Sequence, residues 1–255
     1  MEIVIFENTN SLSEHTASLI AACVQKKNDA VLGLATGSTP VETYQKLINL
    51  FQQGQLDASK VTSINLDEYV GLSKNDEQSY ARFMRMNLFE HINISQENTH
   101  IFNGKAADLL AECQRYDELI VEKGGIDLQI LGIGPNGHIA FNEPCEYFPM
   151  TSHVVDLSNE TIQANARFFN SLGEVPKQAL TMGTGQIFRA RKILLLATGE
   201  GKQEAVRSAV LGPVTPFCPA SILQLHSDVT FLLDKCAARG ILGAQGVYFK
   251  EVHSA

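Results

Sequence analysis

Short apolar runs alternate along this chain with longer stretches of helical period. EIVIF (2–6), AVLGLA (30–35), VTSINL (61–66), IDLQILGIG (126–134), KILLLAT (192–198) and VTFLLD (229–234) read as strands, being short, β-branched or Leu-rich and almost continuously apolar. Between them the apolar positions fall on one helical face. Val41, Tyr44, Leu47, Ile48 and Phe51 make one such stripe, and Leu109, Cys113, Tyr116 and Ile120 make another. Ser11 and Glu14 have the spacing of a capping box for the first helix. Strands without polar alternation must be covered on both faces. The pattern therefore predicts an α/β fold with an open, mostly parallel, Rossmann-like sheet and helices on both faces. One stretch resists this reading. Residues 142–176 carry Pro144, Pro149 and Pro176 with mixed polarity, too long for an ordinary connection, and read as a lid excursion from a single α/β domain spanning 1–255.

Composition narrows the chemistry. The 255 residues carry 20 Lys and Arg against 28 Asp and Glu, a net charge of −8, with no basic stripe interleaved with aromatics. Nucleic acid is excluded as a partner, because such a chain repels a phosphate backbone. No apolar run reaches the ~18 residues of a membrane helix, and MEIVIFENTN lacks the basic start of a signal peptide, so a cytoplasmic protein away from membranes is expected. The five cysteines are widely spaced and form no CxxC, which points to buried free thiols, and the histidines lack metal-ligand spacing; no metal is expected.

Ligands of open parallel sheets bind beyond the carboxyl ends of the strands, and four such ends carry chemistry. In LATGSTP, Gly37, Ser38 and Thr39 offer a tight turn, hydroxyls and free N–H groups, and Pro40 suits the first position of the helix that follows. That is an anion site, or else a capping box of Thr39 with Glu42. In TGEGKQEA, Lys202 stands where a helix begins, against the dipole. Either a bound anion relieves it, or Glu200 or Glu204 neutralises it. Together the two glycine turns favour a phosphorylated small molecule. In NLDEYVG, one of Asp67 and Glu68 should face the crevice, the other reading being a helix cap or a surface acid pair. At an ordinary carboxylate pKa, Asp67 is already ionised at neutral pH and able to take a proton from carbon.

The fourth end, LGIGPNGHIAFNEP, satisfies GxGxxG, with Asp156 about 20 residues on. A dinucleotide motif must open a helix, however, and HIAFNEPCEYFP holds two prolines. The nicotinamide reading fails. What remains is His138, suited to moving a proton between oxygens, Glu143 fixed in extended backbone before Pro144, and Asn136, placed to orient the imidazole by accepting from a ring nitrogen.

These segments, with ANARFFN, VPKQALTMG and the late GEGK and LQLH, resemble the glucosamine-6-phosphate deaminase (isomerase) family from about Val31 to Asp234. GHIAFNEP and LDEYVGL are the family-specific strings; the related 6-phosphogluconolactonases share the GHxA stem without FNEP. The resemblance implies cofactor-free conversion of an amino-sugar 6-phosphate to a ketose 6-phosphate and ammonia. It implies that His138 opens the sugar ring with Glu143 and Asn136 in support, that Asp67 removes the C2 proton, and that Arg167 and Lys202 close on a phosphate held by Gly37, Ser38 and Thr39.

Two features depart from the family pattern. Many members have Asp where this chain has Asn136, and an amide cannot stabilise an imidazolium by charge. Members activated by N-acetylglucosamine 6-phosphate carry basic residues after NEP, whereas CEYFPMTSHVVD has none, so that effector site is expected to be absent. The galactosamine epimer, a 6-phosphogluconolactonase and a non-catalytic sugar-phosphate sensor are the alternatives. The apolar tail after Asp234 reads as a docking helix or an assembly contact, which leaves a homo-oligomer open.

Overall fold

The computed structural model describes residues 1–169, 171–244 and 248–252. Eleven strands are formed among the described residues: β1 (Glu2–Phe6), β2 (Val31–Leu34), β3 (Thr62–Asn65), β4 (Asp67–Tyr69), β5 (Thr99–His100), β6 (Leu128–Leu131), β7 (His153–Asp156), β8 (Gln178–Thr181), β9 (Lys192–Ala197), β10 (Val229–Asp234) and β11 (Lys250–Val252). Eight of them make a wholly parallel sheet in the order β11-β1-β10-β9-β6-β2-β3-β5. Every residue of β2, β3, β6 and β10 is buried, so cover on both faces is realised. All six predicted strands are present, and the sheet is the expected α/β type.

The chain runs outward from β2 to β3 and β5, then returns to β6 on the other side of β2 and continues to β9 and β10. That reversal opens a crevice between the carboxyl ends of β2 and β6. Two tyrosines pin its rim. Tyr44 of helix α2 (Val41–Gln52) is fully buried and donates its hydroxyl to the Ala35 carbonyl just past β2. Tyr116 of α4 (Leu109–Glu122) donates to the Asn65 and His100 carbonyls at 2.7 and 3.1 Å, fastening the ends of β3 and β5.

Three local expectations are corrected. Helix α1 (Thr9–Lys26) is capped by Asn8, whose side chain accepts from the Ser11 amide at 3.0 Å, while Glu14 accepts from Asn10 and Lys46. Ser11 therefore lies inside the helix and makes no box with Glu14. The stretch 142–176 is not irregular throughout: it contains β7 and helix α5 (Asn159–Asn165), and its prolines fall outside both. Strand β7 joins β8 and β4 in a second, antiparallel sheet, which the sequence pattern did not predict because its pairing is long-range. That sheet has its own small core of Tyr69, Phe141, Leu157 and Ala179 with Tyr80 and Phe169 packed against it. The tail forms the four-residue helix Lys235–Ala238 and then β11, which pairs with β1 at the sheet edge; Gln245–Val247 and His253–Ala255 lie outside the described residues. All five cysteines are free thiols, Cys113 and Cys218 buried and the others half-buried.

Candidate active site

The turn after β2 is shaped for an anion. Gly37 has φ of +95°, a conformation costly for a side chain, and a Cβ there would meet nothing within 4 Å, so its backbone lies open to the crevice. Pro40 sits at the cap of α2, one position earlier than expected, and no side chain caps this helix. The Thr39–Glu42 box does not form. The helix N-terminus is left with unsatisfied N–H groups beside Ser38 and Thr39.

Two cations converge on that turn. Lys202, ahead of helix α7 (Gln203–Leu211), donates to the Ile133 carbonyl at 2.6 Å and forms no ion pair among the described residues. The acids expected to neutralise it are engaged elsewhere: Glu200 with Arg239 at 2.6 Å, and Glu204 with Arg207 at 3.7 Å. Burial, and then the neighbouring Arg167, push the Lys202 ammonium below its usual pKa. Arg167, just past α5, reaches Ser38 Oγ at 3.5 Å. Two like charges held close, Lys202 half-buried and Arg167 exposed, are stabilised by an anion between them.

The opposite wall carries acid–base groups. Asp67 opens β4 directly after β3; it is 6% exposed and takes no hydrogen bond among the described residues. Burial, with the adjacent Glu68 charge second, pushes its carboxyl up to about 8. The expectation of an ordinary Asp67 pKa is thus corrected, because the second sheet removes it from water. Glu68 points the other way and accepts from the Tyr69, Tyr80 and Ala81 amides at 2.9 Å, capping helix α3 (Tyr80–Asn87). The two readings of this acid pair are divided between its members: Glu68 is the cap, and Asp67 faces the crevice.

His138 leans on a glycine. A Cβ on Gly134 would fall 2.2–2.4 Å from three atoms of the imidazole, so only glycine leaves room for the ring. Asn136 does not hold that ring, contrary to expectation. Its Oδ1 accepts from the His138 backbone N–H at 3.2 Å, and its Nδ2 donates to Glu143 Oε2 at 2.8 Å. The amide is spent on the backbone turn and on the carboxylate; Glu143 Oε2, 3.7 Å from His138 Nδ1, is what faces the ring. Burial raises the Glu143 carboxyl, but His138, the Thr161 hydroxyl and the Asn136 amide outweigh it and hold it down at about 2. It is an ionised acceptor suited to carrying an imidazolium. The connecting turn is strained, with Ala140 at φ of +52°. Buried Asn142 stabilises it by donating to the Ile139 and Met182 carbonyls at 3.0 and 2.7 Å.

Gly37, Ser38, Thr39, Asp67, Asn136, His138, Arg167 and Lys202 line one cavity of about 200 Å³, and Glu143 stands behind His138. Tyr80, Thr161, Asn165 and Thr36 also line it and were not singled out from sequence. Tyr80 carried one usable signal, the Ser79 cap beside it, and Thr36 lies within LATGSTP itself; Thr161 and Asn165 needed the path of α5. Among the described residues no three His, Cys, Asp or Glu side chains gather as a metal site, and no helix is long and apolar enough to cross a membrane.

Known proteins are similar to this chain in sequence and fold. The model of the family of glucosamine-6-phosphate isomerases and 6-phosphogluconolactonases matches residues 7–232. A glucosamine-6-phosphate deaminase of Lachnoclostridium phytofermentans is 54% identical over 91% of this chain and 98% of its own length; one of Clostridium perfringens is 49% identical over 94% and 99%. A solved structure described as a monomeric glucosamine-6-phosphate deaminase superposes with a TM-score of 0.92 at 48% identity, covering 94% of this chain and 100% of the other. A 6-phosphogluconolactonase from Leishmania guyanensis, at 24% identity and a TM-score of 0.72 over 94% and 98% of the two chains, shares the fold. With most of its length matched by the family model and half of its residues shared with these deaminases, the chain belongs to the glucosamine-6-phosphate isomerase/6-phosphogluconolactonase family.

Proposed function

We propose that this chain deaminates glucosamine 6-phosphate, releasing fructose 6-phosphate and ammonia. The observation that carries the reading is the one cavity with an anion cradle on one wall and two separate proton-transfer groups on the other. The phosphate sits on the Gly37–Thr39 turn under Arg167 and Lys202. His138 takes the proton of the C1 hydroxyl and returns it to the ring oxygen, and ionised Glu143 supports the imidazolium formed in between. Opening the ring makes the C2 hydrogen acidic, since it now lies next to an aldehyde. Asp67 removes it, the electron pair left at C2 forms the C1–C2 double bond of an enolamine, and the carbonyl π pair moves onto O1, which takes a proton from solvent. A proton returned to C1 gives a C2 imine; water adds there and ammonia leaves. A carboxylate held near 8 is a stronger base toward carbon than one near 4, so the burial of Asp67 serves this step.

Hydrolysis of a lactone needs no base at carbon, which favours the deaminase over the lactonase reading. A relative is described as monomeric, which supports catalysis by a single chain. A phosphorylated sugar does not cross a membrane unaided, and this supports a cytoplasmic site of action. Segment 142–176, which brings Arg167 to the cavity, is proposed as the lid. The effector site for N-acetylglucosamine 6-phosphate is absent in this reading, and saturation kinetics shifted strongly by that compound contradict it.

The test is a stopped assay of ammonia and fructose 6-phosphate, with glucosamine 6-phosphate and galactosamine 6-phosphate run side by side and Asp67→Asn as control. Turnover of the gluco substrate that disappears in the control supports both the reaction and the base. A galacto preference keeps the mechanism and changes the substrate. Thermal stabilisation by both sugars without turnover identifies a sensor.

A further inference from the structure

Helix α5 touches both halves of the site. Near its start, Thr161 is buried and donates its hydroxyl to Glu143 Oε1. Just beyond its end, Arg167 reaches Ser38 of the anion turn. Seven residues of helix rise by ~10 Å, about the span of a hexose with its phosphate. The hydroxyl of Thr161 is directed. Ser158 Oγ, which caps α5, donates to Thr161 Oγ1 at 3.1 Å, so the Thr161 proton is left for the carboxylate. Glu143 then accepts one bond on each oxygen, from a lid residue on Oε1 and from Asn136 on Oε2.

We propose that Thr161 is a positioning residue that makes the ring-opening pair depend on the substrate's phosphate. Resting on the deaminase reading, this extends it: the phosphate is a switch for the first chemical step as well as an anchor. When a phosphate draws Arg167 onto the turn, α5 is fixed, Thr161 holds Glu143, and Oε2 is kept toward His138 Nδ1. A sugar without the phosphate lacks the charge that draws Arg167 onto the turn, and the hold of Thr161 on the carboxylate weakens. Binding energy from a remote, non-reacting group is thereby converted into alignment at the reacting one.

The experiment compares wild type, Thr161→Val and Thr161→Ser on two substrates. One is glucosamine 6-phosphate; the other is glucosamine supplied with inorganic phosphite as a separate dianion. In wild type, phosphite is expected to raise glucosamine turnover at least ~10-fold. Thr161→Val is isosteric and lacks the donor. It is expected to lose about 10- to 100-fold in kcat with KM within about threefold, the pattern of a lost transition-state interaction. Its phosphite activation falls below about twofold, whereas Thr161→Ser restores both.

Melting temperatures of both variants within a few degrees of wild type exclude simple unfolding. Four outcomes overturn the proposal: a loss confined to KM, a Ser variant as impaired as Val, a Val variant activated by phosphite as strongly as wild type, or a wild type that phosphite does not activate. Wild type inactive on glucosamine 6-phosphate itself is a different result, and it removes the deaminase reading instead.

Discussion

At the scale of single residues, Asp67 concentrates the conflict between stability and activity. Its folded pKa of about 8 lies far above the ~3.9 of an unfolded aspartate. Between those values the folded chain holds a proton that the unfolded chain has released, so the stability owed to this group falls as pH rises from about 4 to 8. Asp67→Asn removes that cost. Its melting temperature should match wild type near pH 4 and exceed it increasingly up to pH 8.5, by ~2–4 °C per kcal/mol at this chain length; calorimetry across that range checks it, and an equal shift at every pH contradicts it. Catalysis runs the other way. The base must be ionised, so kcat/KM should decline as pH falls below about 8, while kcat holds to lower pH because the substrate's ammonium favours the charged form. An acid limb of kcat/KM near 4 would falsify this role for the buried state of Asp67. The position of Asp67 was legible from its place at a strand end. Its pKa was not, since burial depends on β4 pairing with β8 more than a hundred residues away. Asn136 shows a similar limit: the sequence put the amide near His138, but a short turn spent its oxygen on the backbone instead of the ring.

At the scale of elements, α3 links the base to the fold. Glu68 caps it through the Tyr80 and Ala81 amides, and Tyr80, held by that cap, lines the cavity. The same carboxylate raises Asp67 by its charge. Glu68→Gln therefore predicts two coupled effects. Weakening the charged cap should cost about 1–3 kcal/mol, read as a lower melting temperature. Removing the charge should move the acid limb of kcat/KM to lower pH, away from 8 and toward the ordinary carboxylate range. A pH profile that stays in place while stability drops would mean burial alone sets the Asp67 pKa. Elements with strong local period, such as α2 and α4, were readable because every turn repeats the same apolar stripe. Strand β7 and helix α5 were not: four and seven residues long, half-buried, and set between prolines, they gain their structure from β8 and from Glu143. The weakest local signal in the chain thus belongs to the segment proposed as the lid, whose order comes from contacts it makes across the cavity.

For the whole molecule, sheet order divides labour along one axis. The crevice opens between β2 and β6, flanked by Asp67 after β3 and Lys202 after β9, so the proposed chemistry occupies the middle of the sheet, away from β11. One edge is β11, separated from β6 by β1, β10 and β9. This edge strand is exposed along its length and is held by pairing with β1 and by a Lys250–Glu2 ion pair at 2.6 Å. Its partner β1 is buried from Ile3 to Phe6 and pairs on its other side with β10, so the core does not rest on the tail. The parallel interior of this sheet was legible because continuous apolar runs admit little else. The edge was not, because a short, charged strand such as KEV carries no period of its own. Removing residues 250–255, which keeps Phe249 against the core, should accordingly leave kcat/KM for glucosamine 6-phosphate within about twofold, since surface changes distant from a site add independently of it. It should lower the melting temperature by only a few degrees, because an exposed ion pair contributes ~0–1 kcal/mol and the strand buries little. Assay and melting on the truncated chain decide the matter together. A large loss of activity at unchanged stability would mean that the tail reaches the catalytic side, against the strand order, while collapse of the fold would mean that β1 needs β11 to remain in the sheet.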